Sequence, residues 1–230
     1  MKAMTVPFPS PTDPAESRAE VFRRYLEFFR DRLAAKTRGL PADELRRSRL
    51  PSGWTPLELV KHLTYVERRW LEWGFAGRAV ADPWGDQRDG RWYVGPDETL
   101  DGLLVELDAQ ASRSSAIIEG HDLDEVGQPG ERWSGKPPAT LERVLFHLVQ
   151  EYARHVGHLD VVCELAAQAE RSTAIIEGHD LDEVGQPGER WSGQPPATLE
   201  RVLFHLVQEY ARHIGQLDIV CELAGGETGE

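Results

Sequence analysis

Residues 109–166 and 167–224 are one 58-residue segment written twice in tandem. The copies differ at six positions only: Ser112/Glu170, Ser115/Thr173, Lys136/Gln194, Val156/Ile214, His158/Gln216 and Val161/Ile219. A repeat array needs about three or more units to bury a continuous core. Two copies after 108 unrepeated residues therefore describe one ordinary domain whose last part has been duplicated. Three segments follow: a helical bundle at 1–166, a duplicated helix-end, loop and helix unit at 167–224, and a tail at 225–230.

Apolar spacing sets the fold class. Phe22, Leu26, Phe29 and Leu33 make a first helical stripe, with a start expected at Asp13-Pro14-Ala15-Glu16. Thr55-Pro56-Leu57-Glu58 is a capping box with proline at the first helical position. It opens a second helix with Leu59, Leu63, Val66, Trp70 and Trp73 on one face. Residues 77–96 read as a long polar crossover. A third helix is expected from about Asp97 to Glu119, stopped by Gly120. A loop of about twenty residues with Trp133 and Pro137-Pro138 precedes a fourth helix from near Thr140. No segment alternates like a strand. The sequence predicts an all-α four-helix bundle. Leu165 to Arg171 contains neither Gly nor Pro. One fused helix is therefore expected over 140–177, roughly 57 Å long at 1.5 Å per residue, with a second copy of the fourth helix at about 198–224.

The net charge of −13 argues against a nucleic-acid backbone as partner. No apolar run reaches the roughly 18 residues of a membrane span. The opening MKAMTVPFPSPTDP reads as a leader without a secretion signal. The cysteines, Cys163 and Cys221, are copies of one another and form no disulfide framework. A cytoplasmic protein is expected.

Three polar residues interrupt the apolar stripes. His62 lies between Leu59 and Val66, and Glu151 and His155 lie four apart between Leu148 and Leu159. A carboxylate on a core face is costly unless it is paired or binds a cation. An i, i+4 Glu/His pair presents two ligand atoms on one face, and a His from a neighbouring helix supplies a third. Three protein ligands leave coordination positions open, as catalytic metal sites do. His147, one turn earlier, is placed to support them. Against this stands plain packing: a lone core His is usually only hydrogen bonded, and Glu-x-x-x-His is common as a surface pair.

The stretches GWTPLELVKHLTYVERRWLEWGFAGR, TLERVLFHLVQEYARHVGHLDVVCEL and the tail ELAGGETGE resemble the DinB-like four-helix metalloproteins, in their actinobacterial mini-circle, mycothiol-dependent branch. The resemblance covers nearly the whole chain once one repeat is set aside. It implies a divalent metal, zinc or nickel, on His62, Glu151 and His155, and a metal-dependent S-transferase or isomerase that uses a small-molecule thiol of the mycothiol type on a small electrophile. The metal would hold that thiol as thiolate, so neither Cys163 nor Cys221 is expected to be the nucleophile. A non-enzymatic metal- or ligand-binding stress protein and a duplicated paralogue without activity are the competing readings. The duplication departs from the family pattern, because Glu209 and His213 repeat the ligand pair while His62 occurs once. Connectivity from the third helix favours Glu151 and His155, with Glu209 and His213 as the alternative pair. The spare copy's apolar stripe leads to the expectation of a homodimer, with exchange of fourth helices as one route.

Overall fold

A computed structural model describes residues 6–10, 13–50, 52–192, 194–203 and 205–206, and the side chain of residue 190 is left aside. The chain divides into two compact units, 1–166 and 167–230. In the first unit, α1 (Arg18–Arg38), α2 (Pro56–Glu67), α3 (Leu100–Glu119) and α4 (from Leu141) form the all-α bundle.

Local chemistry fixes the helix starts. Thr55 Oγ1 accepts from Glu58 N at 3.3 Å while Glu58 Oε2 accepts from Thr55 N at 2.8 Å, closing the box that opens α2. Thr99 caps α3 through Gly102 N at 3.2 Å, and Gly120 ends it. The first start differs from expectation. Ser17, not Asp13, caps α1, accepting from Glu20 N at 3.1 Å. Asp13 instead turns back to accept from Ser10 N at 2.8 Å. Ser17-Arg18-Ala19-Glu20 is itself a Ser-x-x-Glu start signal, four residues nearer the apolar stripe.

After Glu67 the second helix widens into a π-helical stretch, Arg68–Phe75, with Ala76 N donating to Leu71 O at 2.9 Å. Such turns are rare and concentrate at functional sites. The crossover corrects a second expectation, for it holds a small antiparallel hairpin, β1 (Gln87–Arg88) and β2 (Arg91–Trp92). Asp89 and Gly90 take φ of 53° and 74°, the two positive values a tight two-residue hairpin turn demands. The Asp-Gly dipeptide carried that signal in the sequence.

Helices α1 and α4 run side by side in the same direction. Arg18 pairs with Glu142 at 2.6 Å, the Phe22 and Phe146 rings meet edge to face at 4.8 Å, and Lys36 pairs with Asp160. Helices α2 and α4 are antiparallel: His62 meets His155, and eight residues further along α2 Trp70 meets His147. Between them Glu67, with no exposed surface, collects one partner set from every other helix. Arg30 of α1 donates from Nε and Nη2 at 2.7 and 2.8 Å. Ser114 of α3 donates at 2.6 Å and Tyr152 of α4 at 2.5 Å. Burial pushes the Glu67 carboxyl up, but Arg30, Ser114 and Tyr152 outweigh it and hold it below its ordinary value. Leu26, Leu33, Leu59, Leu63, Leu107, Leu145, Leu148 and Leu159 fill the surrounding core.

The fused helix forms as expected: α4 runs Leu141–Glu177, 37 residues without a break. In the second unit the repeated loop sequence rebuilds the loop of the first. Gly127 N donates to Ala139 O at 3.0 Å, and Gly185 N to Ala197 O at 3.0 Å. Trp133 Nε1 donates to Gln128 O at 2.9 Å, and Trp191 Nε1 to Gln186 O at 2.8 Å. Ser134 and Ser192 share the left-handed conformation at φ 51° and 50°. The chain turns helical again at 199, and the rest of the second copy of that helix lies outside the described residues.

Replacing Glu67 by Gln leaves the Arg30 guanidinium without its counter-charge. The expected loss is about 3–5 kcal/mol of unfolding free energy, read by urea denaturation. The wild-type contribution of Glu67 belongs to pH above the ordinary carboxylate range. Because its folded-state value is depressed, that contribution falls away as pH drops through it. The denaturation midpoint of E67Q should therefore change less than wild type between pH 7 and pH 3.

Candidate metal centre

His62 is on α2 one and a half turns before Glu67, and Glu151 immediately precedes Tyr152 on α4. The Glu67–Tyr152 bond thus fixes the two helices where the three candidate ligands project. The structure brings His62, Glu151 and His155 together, with one ligand atom from each lying within 4.8 Å of the others. Ligand atoms each about 2.1 Å from one tetrahedral zinc ion lie about 3.4 Å apart. A side-chain adjustment of about an ångström closes the set around an ion. Glu209, His213 and Cys221 lie outside the described residues.

Each ligand is oriented by a neighbour. His62 Nδ1 is 3.0 Å from Asp86 Oδ2, and Asp86 is fully buried. Its carboxylate also receives Arg69 Nη1 at 2.6 Å and Nη2 at 3.1 Å. Arg69 is anchored in turn by the Pro83 carbonyl at 3.0 Å and lies over the Trp84 ring at 4.4 Å. An ionised carboxylate only accepts, so Nδ1 of a neutral His62 carries the proton and Nε2 presents its lone pair. A ligating His held through its other nitrogen by a carboxylate is the usual supporting arrangement of a metal site. The Trp92 ring stacks on His62 at 3.9 Å and 19°, fixing the plane of the imidazole.

On α4, Glu151 Oε2 is 3.3 Å from His155 Nε2, and its other oxygen is 3.9 Å from His147 Nε2. His155 is buried, and its Nδ1 has no hydrogen-bond partner. The nitrogen that faces Glu151, and with it the trio, is Nε2. His147, expected to support Glu151, lies too far from it for a hydrogen bond, and its ring packs against Trp70 at 4.6 Å.

Burial pushes His62 below its ordinary value of 6.5, against the pull of Asp86. Asp86, raised by burial, is brought below its ordinary value by His62 and Arg69. Glu151 is lowered chiefly by its bond to His155. The site thus holds neutral His62 beside ionised Glu151, the protonation states that bind a divalent ion. Burial pushes the half-buried Cys163 thiol upward, away from the thiolate form a nucleophile needs.

Asp86 and Trp92 are the residues that spacing did not reveal. Both sit in the crossover, and only the Asp89-Gly90 hairpin turn hinted that the segment folds back.

The Mycothiol-S-transferase family profile matches residues 21–168 and again residues 161–226, and the chain belongs to that family, a DinB-like one. None of the curated proteins compared with the chain matches it. Among the described residues no helix is long and apolar enough to cross a membrane.

The geometry predicts one tautomer for His62. Long-range proton–nitrogen NMR at about pH 8, above the ordinary imidazole range, should show a neutral ring with the proton on Nδ1, and Asp86→Ala should abolish that preference. A ring protonated on Nε2 in the wild type would contradict the arrangement.

Proposed function

We propose that the protein is a metal-dependent S-transferase that moves the sulfur of a small thiol, of the mycothiol type, onto a small electrophile. The observation that carries the reading is the convergence of His62, Glu151 and His155 within 4.8 Å, with His62 held by the buried Asp86. Two imidazoles and one carboxylate suit zinc or nickel. A divalent ion there supplies the electrostatic stabilisation that keeps a thiol deprotonated near neutral pH.

The protein's own groups do the rest. Asp86 and Arg69 hold His62, and Glu151 orients His155. Ser52, Trp54, Glu58, Gly90, Arg91 and Trp92 line a hollow of about 380 Å³ next to His62. The two indoles, 6.1 Å apart, and the polar rim suit a hydroxyl-rich cofactor body whose thiol reaches toward the trio. In the reaction the thiol proton leaves for solvent, the sulfur bonds to the electrophilic carbon, and the leaving group departs with its electron pair. Cys163, half-buried on α4, takes no part.

One equivalent of zinc or nickel is expected per chain by elemental analysis. His62→Ala should abolish tight binding, since both candidate pairs depend on it. Asp86→Asn should weaken affinity about 10- to 100-fold. Thiol conjugation of 1-chloro-2,4-dinitrobenzene should require the metal and survive Cys163→Ser/Cys221→Ser. A metal-free wild type, or turnover indifferent to chelation, would defeat the reading.

A further inference from the structure

The chain carries 39 acidic and 26 basic residues, yet the charged side chains that line one hollow in the first unit are all cations. It measures about 400 Å³ and is bounded by Trp70, Arg132, Trp133, Lys136, Arg143 and His147. No carboxylate lines it. Several arginines elsewhere in this unit, including Arg18, Arg30, Arg49, Arg69 and Arg113, engage an acid. Arg132, Arg143 and Lys136 have no ion-pair partner among the described residues.

Arg132 is the centre of the cluster. Its guanidinium lies over the Trp70 ring at 3.7 Å, and its Nε is buried without a hydrogen-bond partner. Its stem packs against the π-helical turn, where a Cβ on Gly74 would come within 3.2 Å of Arg132 Cγ. The charge is therefore held on an indole, partly desolvated and unpaired. That state is unfavourable alone and favourable with an anion. The hollow also adjoins the candidate metal centre, since His147 forms its wall and lies 3.9 Å from Glu151. Trp70 and Trp133, 6.0 Å apart, offer flat apolar faces beside the cations. The volume matches a small-molecule subsite, and a planar guanidinium matches a planar carboxylate.

We infer that Arg132, assisted by Arg143 and Lys136, binds the carboxylate of the electrophilic substrate, so that the preferred acceptors are small, flat, carboxylate-bearing molecules. The assignment of this anion as the acceptor rests on the transferase reading above. The anion subsite itself rests on the cation cluster alone. The second copy has Gln194 where the first has Lys136, so the first copy carries the fuller charge set.

The test pairs two aryl chlorides, 4-chloro-3-nitrobenzoate and uncharged 1-chloro-2,4-dinitrobenzene, with the metal-loaded full chain. In each, a C–S bond forms at the ring carbon, chloride leaves with the C–Cl electron pair, and the thiol proton passes to solvent. The dinitro compound is intrinsically the more reactive, so the readout is the change in the kcat/KM ratio between wild type and variants. Arg132→Gln should lower the benzoate-to-dinitro ratio at least 10-fold, mainly through KM for the benzoate, with metal content unchanged. Arg143→Gln/Lys136→Gln, both at exposed positions, should lower it several-fold and keeps the test open should Arg132→Gln fold poorly. Calorimetric binding of the unreactive 4-methyl-3-nitrobenzoate should weaken in parallel. Benzoate binding that is unchanged in both variants overturns the subsite. Binding that weakens as expected without turnover of either chloride leaves the subsite standing and removes the transferase reading instead.

Discussion

The Glu67 carboxylate is bonded by Arg30, Ser114 and Tyr152, so a single buried charge is held from α1, α3 and α4 at once. Removing a carboxylate from water costs several kcal/mol, which only near-complete pairing offsets. The four helices can meet that requirement only in one rotation and one axial register relative to one another. Apolar packing alone tolerates small slips, because one leucine contact replaces another. A charge with four directed bonds does not. Glu67 is five residues after His62, and Tyr152 is adjacent to Glu151. The register set by the buried charge is thus the register that brings His62 to Glu151 and His155.

A second buried carboxylate extends the arrangement outward. Asp86 ties His62 and Arg69, two turns apart on the second helix, to the crossover. The hairpin that follows lays Trp92 on the His62 ring. The widened turn after Glu67 carries Arg69 and Trp70 on its first turn, so it serves both Asp86 on one side and the Arg132 stack on the other. The trio is then flanked by two different surfaces. An indole-rich hollow lies beside His62, and a cationic one lies beside His147.

The repeat separates local from tertiary information. The two loop copies make matching backbone bonds and share the left-handed serine, because turn bonds and indole-to-carbonyl bonds close within about twenty residues of sequence. What surrounds each loop differs. In the first unit Gln128 N donates to Phe75 O at 2.8 Å, and Phe75 packs against Gly127 and the His121 ring. In the second unit the corresponding positions, Ile175, His179, Gly185, Gln186 and Leu199 among them, line an apolar groove of about 230 Å³. The sequence contains the receiving loop twice and Phe75 once.

The sequence by itself determined the helices, the Thr55 box and the unbroken Leu141–Glu177 helix. These depend on spacing, caps and the absence of breakers, all short-range. It also marked His62, Glu151 and His155, since polar residues on apolar stripes stand out by period alone. It misplaced the first helix start at Asp13, because two competing start signals lay four residues apart and only the packed stripe chose Ser17. Tertiary structure alone decided that Glu67 would gather three helices, that Asp86 and Trp92 would fold back onto His62, and that Arg132 would stay unpaired over Trp70. Each joins residues 17 to 85 positions apart. Their attraction is expressed only once the intervening chain has folded and water has been excluded, and no sequence period records it.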